Sequence, residues 1–360
     1  MASLVTCAAR DGHAMCWGNR QLLGNGKEEL FPGAALPSPV KGIDDAVGVA
    51  AGIGHGCILR RGGTVACWGA GSGDNFGVGP SPASQHVRAP LPVTGIADAE
   101  QLVAGGGHTC ARTRAGRVLC WGENDHGETS QPVTSGRAVV AVPTAVEGID
   151  DADALTTGEH RTCARRKSGE IACWGTSTSA LSAPCAPGEG CSSRDRPAAE
   201  QSAILEAGRK PTAVPELRGA LEIAAADDFV CGRMATGEIV CTGQDTVGVL
   251  GDGKTEKRFR TVRVPGIVGA RRIAVSWWAA CAVDDTGRVL CWGSGPVVGP
   301  GPSGTPRVID GVADAVEISV STLTACATTK QGEILCWGDG TGGQTGHGST
   351  PETAARKVDW

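Results

Sequence analysis

The stretch Cys110-Ala-Arg-Thr-Arg-Ala-Gly-Arg-Val-Leu-Cys120-Trp121-Gly122 decides the fold. Its symmetric centre is Ala115, and Gly116 follows. A glycine at that place suits a three-residue hairpin loop whose last residue is left-handed. Counting outward from the turn sets Cys110 opposite Cys120 at a non-hydrogen-bonded pair, where two side chains share a face at disulfide distance. The unit recurs. Cysteines pair as 7/16, 57/67, 110/120, 163/173, 231/241, 281/291 and 326/336, with first cysteines 50, 53, 53, 68, 50 and 45 residues apart. Gly63, Gly169, Gly237, Gly287 and Gly332 repeat the place of Gly116. The first unit is one residue shorter, and its Asp11-Gly12 centre is a type I′ signal. Two turn types therefore give one cysteine register.

Six of the seven second cysteines open Cys-Trp-Gly, with Trp at 17, 68, 121, 174, 292 and 337; the fifth reads Cys241-Thr242-Gly243. A strand precedes each hairpin, as in Asp45–Ala50, and another follows, as near Pro92-Val93. Four strands per unit (A to D), repeated about every 50 residues, predict an all-β, seven-bladed propeller of antiparallel blades. One such unit is expected over residues 1–360, with an inserted loop at 176–210 in the fourth repeat. The composition agrees: Gly 55, Pro 20 and 20% charged residues favour strands and turns over helices.

Disulfides are the favoured reading of the cysteine pairs, and they imply an oxidising compartment, extracellular or periplasmic. Structural zinc and buried free thiols are the alternatives. No Cys-x-x-Cys occurs, which weighs against zinc. Cys185 and Cys191 stand outside the repeat and are expected to link within the insertion. The net charge of −5 disfavours a nucleic-acid partner. No run of 18 apolar residues predicts a membrane span. No signal peptide is visible before the first repeat, and the native chain is expected to start earlier. Val358 would lie only nine positions from Cys7 across the joined ends, against 17 from Val40 to Cys57. About one A strand is missing, so the first blade is either three-stranded or completed by residues outside this sequence.

The pattern Gly-x-x-His-x-Cys-Ala followed by Gly-x-Val-x-Cys-Trp-Gly resembles the RCC1 repeat. Gly105, His108, Cys110, Ala111, Gly116, Val118 and Cys120 to Gly122 carry it best. Asn19, Asn124 and Leu250-Gly251-Asp252-Gly253 add to it. The resemblance covers nearly the whole chain. It implies a seven-bladed propeller, and the paired cysteines look like a disulfide-rich bacterial branch similar in fold to the secreted β-lactamase inhibitory protein II, which binds its target through loops on one face. The family's eukaryotic name-giver is a nucleotide exchange factor on chromatin.

Up-and-down topology sends the A–B and C–D loops to one face and the hairpin tips to the other. Irregularity concentrates on the first face, where function is expected. The A–B loop is bland in repeats two and three. It becomes Glu159-His160-Arg161-Thr162, then Asp227-Asp228-Phe229-Val230, then Trp277-Trp278-Ala279-Ala280 in repeats four to six. Aromatic and charged loop residues are typical binding anchors. The long insertion shares this face, with Arg194-Asp195-Arg196 giving it charge.

These residues predict a binding site for a protein or peptide partner, formed by Glu159, His160, Arg161, Asp227, Asp228, Phe229, Trp277, Trp278, Arg194 and Arg196. The other reading is an enzyme or a small-ligand binder for a glycan or metabolite, using the acids and His160 at the channel mouth. A solvated charged rim is the plain alternative. His55 and His108 read as loop braces, and the Cys-Trp-Gly tryptophans as packing between blades. His86, His126 and His347 look scattered and support no metal motif. No cofactor, metal ligand or catalytic residue is assigned, and a monomer is expected.

Overall fold

The computed structural model describes residues 5–27, 34–70, 76–78, 86–133, 138–176, 203, 205–245, 247–255, 259–348 and 352–359. They form seven antiparallel sheets arranged as propeller blades, in which neighbouring strands follow chain order. Six sheets have four strands. The first has three, Val5–Arg10, His13–Asn19 and Ala34–Pro39. The strand count of the first blade among the described residues therefore matches the deficit counted from the sequence.

Blade three shows the regular unit: strands Ala99–Ala104, His108–Thr113, Val118–Glu123 and Val139–Ala145, A to D. The B and C strands pair in the expected register, with Cys110 opposite Cys120 and Val118 opposite Arg112. Gly116 takes φ +93° and its N–H donates to the Thr113 carbonyl, closing the three-residue turn. Asp11 and Gly12 are both left-handed, as the shorter turn requires. All seven pairs are disulfides, with Cα–Cα distances of 4.0 to 4.2 Å. Cys185, Cys191 and most of the insertion lie outside the described residues. The insertion delivers the chain to a D strand of two residues, Thr212–Ala213, paired with Cys173 and Ala172.

The core lies between blades. One cluster joins Cys110, Val118 and Cys120 of blade three to Leu155, Ala164 and Trp174 of blade four. Each interface of this kind sets a cystine of one blade beside the Cys-Trp-Gly tryptophan of the next. The six tryptophans are fully buried. Each donates its indole N–H to a carbonyl in the C–D loop of the preceding blade, at 2.7 to 3.0 Å: Trp17 to Gln344, Trp68 to Leu22, Trp121 to Phe76, Trp174 to Glu128, Trp292 to Val249 and Trp337 to Val297. Burying a large aromatic while satisfying its N–H makes each bond a strong positional constraint. Blade five has Thr242 instead. Two further bonds join blades: Nε2 of His55 meets Thr109 Oγ1 and Nε2 of His108 meets Thr162 Oγ1, both at 2.8 Å. His55 and His108 are braces, as read from the sequence.

Beside the three-stranded blade the channel wall opens. A groove of about 660 Å³ runs along Val5–Arg10, between Val47 and Val49 of blade two and Glu317–Ser321 of blade seven.

Candidate functional site

The A–B loops of blades two to seven surround the channel mouth. Glu159, Asp227 and Trp277 line a depression of about 140 Å³ there, together with backbone of Gly52, Gly105 and Ser276. Trp277 is 39% exposed and Trp278 46%. They stand side by side at a loop tip where blade three has Gly106 and Gly107. Asp228 is exposed as well.

Two residues expected at this surface are instead interior. Phe229 is 1% exposed and packs with Cys231, Ile239 and Trp292. Arg161 is equally buried, and its guanidinium donates to the carbonyls of Ala226 (3.3 Å) and Thr176 (2.8 Å). The reason is positional. Both stand two residues before the first cysteine, where the B strand begins, and the side chain there points inward in every one of blades two to seven: His55, His108, Arg161, Phe229, Ala279 and Thr324 are all buried. Phe229 is thus no contact anchor, and Arg161 braces the loop from beneath. Burial pushes the Arg161 guanidinium down to about 10, against the pull of Asp227 and Asp228. Arg194 and Arg196 lie outside the described residues.

A polar cluster gathers around the A–B loop of blade four. Gly175 follows Trp174 with φ +100°, and a Cβ there would fall 2.2 Å from the His160 carbonyl. The close approach fixes the loop. The His160 N–H donates to Asp227 Oδ1 at 2.8 Å, so the buried Asp227 tethers blade four's loop to blade five. His160 Nδ1 lies 3.1 Å from Glu128 Oε1, and Nε2 lies 3.7 Å from Glu159 Oε1.

Glu128 comes from the C–D loop of blade three and was not anticipated. It is 1% exposed. Its backbone carbonyl receives Trp174, the place held by Leu22, Phe76, Val249, Val297 and Gln344 in other blades. An acid where most repeats put an apolar residue was the available signal. His126 also joins, correcting its reading as a scattered residue. Its Nδ1 is 3.2 Å from the same Glu128 Oε1, and its N–H donates to Oε2 at 2.9 Å. The two imidazoles lie 4.3 Å apart between centroids. Burial pushes the Glu128 carboxyl up, but the bonds to His126 and His160 and the field of His108 outweigh it and hold it at about 2. For His160, burial is outweighed by Glu128, Asp227 and Glu159, which raise it above the usual histidine value. The cluster therefore holds an ionised carboxylate between two imidazoles. Arg209, at the end of the insertion, packs its Cα and Cβ over Gly127 and pairs with Glu206.

A ring of such blades, six of the seven carrying a buried tryptophan latched to the preceding loop, resembles a propeller of RCC1-type repeats. The profile described as Regulator of chromosome condensation (RCC1) repeat matches residues 99–128 and 270–296. The bovine (Bos taurus) Secretion-regulating guanine nucleotide exchange factor is 27% identical over 237 residues, 62% of this chain and 49% of its own. The mitochondrial RCC1 domain-containing protein RUG3 of Arabidopsis thaliana is 29% identical over 177 residues, 46% of this chain and 38% of its own. The chain thus spans about half the length, or less, of these curated relatives. Among solved structures, human WBSCR16 superposes with a TM-score of 0.77 at 18% identity, covering 98% of this chain and 94% of its own. Yeast RCC1 (Prp20), in its complex with Kap60, gives 0.74 at 17% identity, covering 100% and 85%. At these identities the structural likeness speaks for the fold.

The disulfides are consistent with an oxidising compartment. Among the described residues no helix is long and apolar enough to cross a membrane.

Proposed function

We propose that residues 1–360 work as one binding propeller of the extracellular space or periplasm, a monomer that recognises a protein or peptide partner and not nucleic acid. Recognition runs through the A–B loops of blades four to six. Trp277 and Trp278 anchor the partner. Glu159, His160 and Asp228 supply polar contacts, and Asp227 and Arg161 hold the loops in place from below. The observation that carries this reading is the adjacent, half-exposed tryptophan pair on the irregular face. Aromatic residues that keep large apolar area in water at a loop tip are the commonest energetic centres of interfaces. Protein partners occur in the same fold, since yeast RCC1 was solved bound to Kap60.

The competing enzyme or glycan-binding reading would use the depression at the channel mouth. About 140 Å³ is small beside the roughly 300–1,000 Å³ of small-molecule sites, which favours a surface contact over an engulfed ligand. The test is affinity capture from the native host with the wild-type chain and with Trp277→Ala/Trp278→Ala. A protein that binds the purified wild type and loses at least tenfold in affinity for the double variant supports the reading. Equal binding to both chains sinks it.

A further inference from the structure

We propose that His126, Glu128 and His160 form a binding site for a single divalent transition-metal ion of the zinc class, at the seam between blades three and four. The inference goes beyond the partner-binding reading and does not depend on it.

Three observations carry it. First, the donors converge. Both Nδ1 atoms point at one carboxylate oxygen, at 3.2 Å and 3.1 Å, and the three donor atoms lie within 4.8 Å of one another. Two donors each roughly 2.1 Å from a tetrahedral ion lie about 3.4 Å apart. The spacing already present is close to that of a coordination shell, so an ion needs only small side-chain shifts.

Second, the donor set is selective. Two imidazoles and a carboxylate suit zinc, cobalt or nickel, whereas calcium and magnesium favour all-oxygen shells. Glu128 is 1% exposed, so water does little to screen its carboxyl group from an ion beside it. His126 is 41% exposed and His160 26%, which leaves an entry path and a fourth coordination position toward solvent.

Third, a supporting shell is in place. When Nδ1 binds a metal, the ring proton sits on Nε2. At His160 that atom lies 3.7 Å from the Glu159 carboxylate, just beyond hydrogen-bond distance, and a side-chain shift of about half an ångström brings the carboxylate into position to accept the proton. Carboxylates in this position orient ligating histidines and raise their basicity. Trp174 and Thr162 both donate to the Glu128 carbonyl, at 2.8 and 3.3 Å, and fix the residue from behind.

Cysteines of the seven hairpins are all oxidised, so they offer no thiolate for a metal. Treatment with iodoacetamide removes any contribution from Cys185 and Cys191. The experiment titrates the treated full-length chain, freed of metal by chelation, with zinc chloride by calorimetry and with cobalt chloride by visible absorption. The expected result is one ion per chain with the visible bands of a four-coordinate cobalt centre. His126→Ala and His160→Ala should each weaken binding at least tenfold, and Glu159→Gln should weaken it while keeping the stoichiometry. His13→Ala, an exposed histidine on the opposite face, should match the wild type. Near-ultraviolet circular dichroism checks that each variant is folded. Absence of saturable binding, or affinities unchanged in both folded histidine variants, overturns the proposal.

Discussion

The indole N–H of Trp17 donates to the carbonyl of Gln344, 327 positions away, at 2.8 Å, and this bond ties the first blade to the last. Thr6 Oγ1 shares the same acceptor at 2.9 Å, and Trp17 packs there with Ile334, Cys336 and Val358. Ring closure thus uses the same latch as every other seam that has a tryptophan.

Trp17→Phe keeps most of the packing and removes the donor. It should cost about 1–3 kcal/mol, the penalty for leaving a buried polar group poorly satisfied. Urea unfolding under non-reducing conditions reads it. An unchanged midpoint would mean the seam is held by packing alone.

The buried tryptophans and the exposed pair should behave oppositely in stability measurements. Trp121→Ala opens a cavity in the blade two–three seam and should cost about 3–5 kcal/mol. Trp278→Ala should shift stability by less than about 1 kcal/mol, because its ring is already half in water. Similar losses for the two would place Trp278 in the core and remove it as an anchor.

His55 predicts an acid dependence. Burial, helped by His108, pushes its imidazole down to about 4 from 6.5. Between those values the unfolded chain takes up a proton that the folded chain refuses. The contribution is fully present above pH 6.5 and is lost as pH falls toward 4, by up to roughly 3 kcal/mol. His55→Gln keeps a polar group near Thr109 and removes the titration. Its unfolding midpoint should therefore fall less than the wild type's between pH 7 and 4.5, and parallel curves would refute the assignment.

The cystines should act locally. Each hairpin pair spans 9 or 10 positions, and such a loop is worth roughly 2–3 kcal/mol on the chain-entropy model. Replacing Cys110 and Cys120 by Ala should cost about that much, and adding the same change at Cys326 and Cys336 should be additive, because the pairs share no partners. A strongly non-additive double change, measured by chemical denaturation, would show coupling between blades.

The hairpins were legible because their information is local. Turn glycines and cysteine spacing fix register within about ten residues, and the three-stranded first blade followed from counting. The polar cluster was less so. Glu159, His160 and Asp227 stood out by breaking the loop pattern, and they do meet. Glu128 lies 32 positions before His160 and reaches it only because adjacent blades press a C–D loop against an A–B loop. Phe229 and Arg161 misled for another reason. Both belong by spacing to the loop, yet the B strand has already begun there, and the strand alternation turns them inward.

Among the described residues, the cystines all lie within blades and none spans a seam. Mechanically, the ring is a necklace of separately riveted plates. A load drawn across it meets covalent resistance inside a plate and only hydrogen bonds and packing between plates, so tearing starts at the joints and leaves each hairpin whole. The same division suits change over generations: a plate carrying its own rivet can be duplicated, swapped or enlarged, as blade four has been, without re-pairing any cysteine elsewhere.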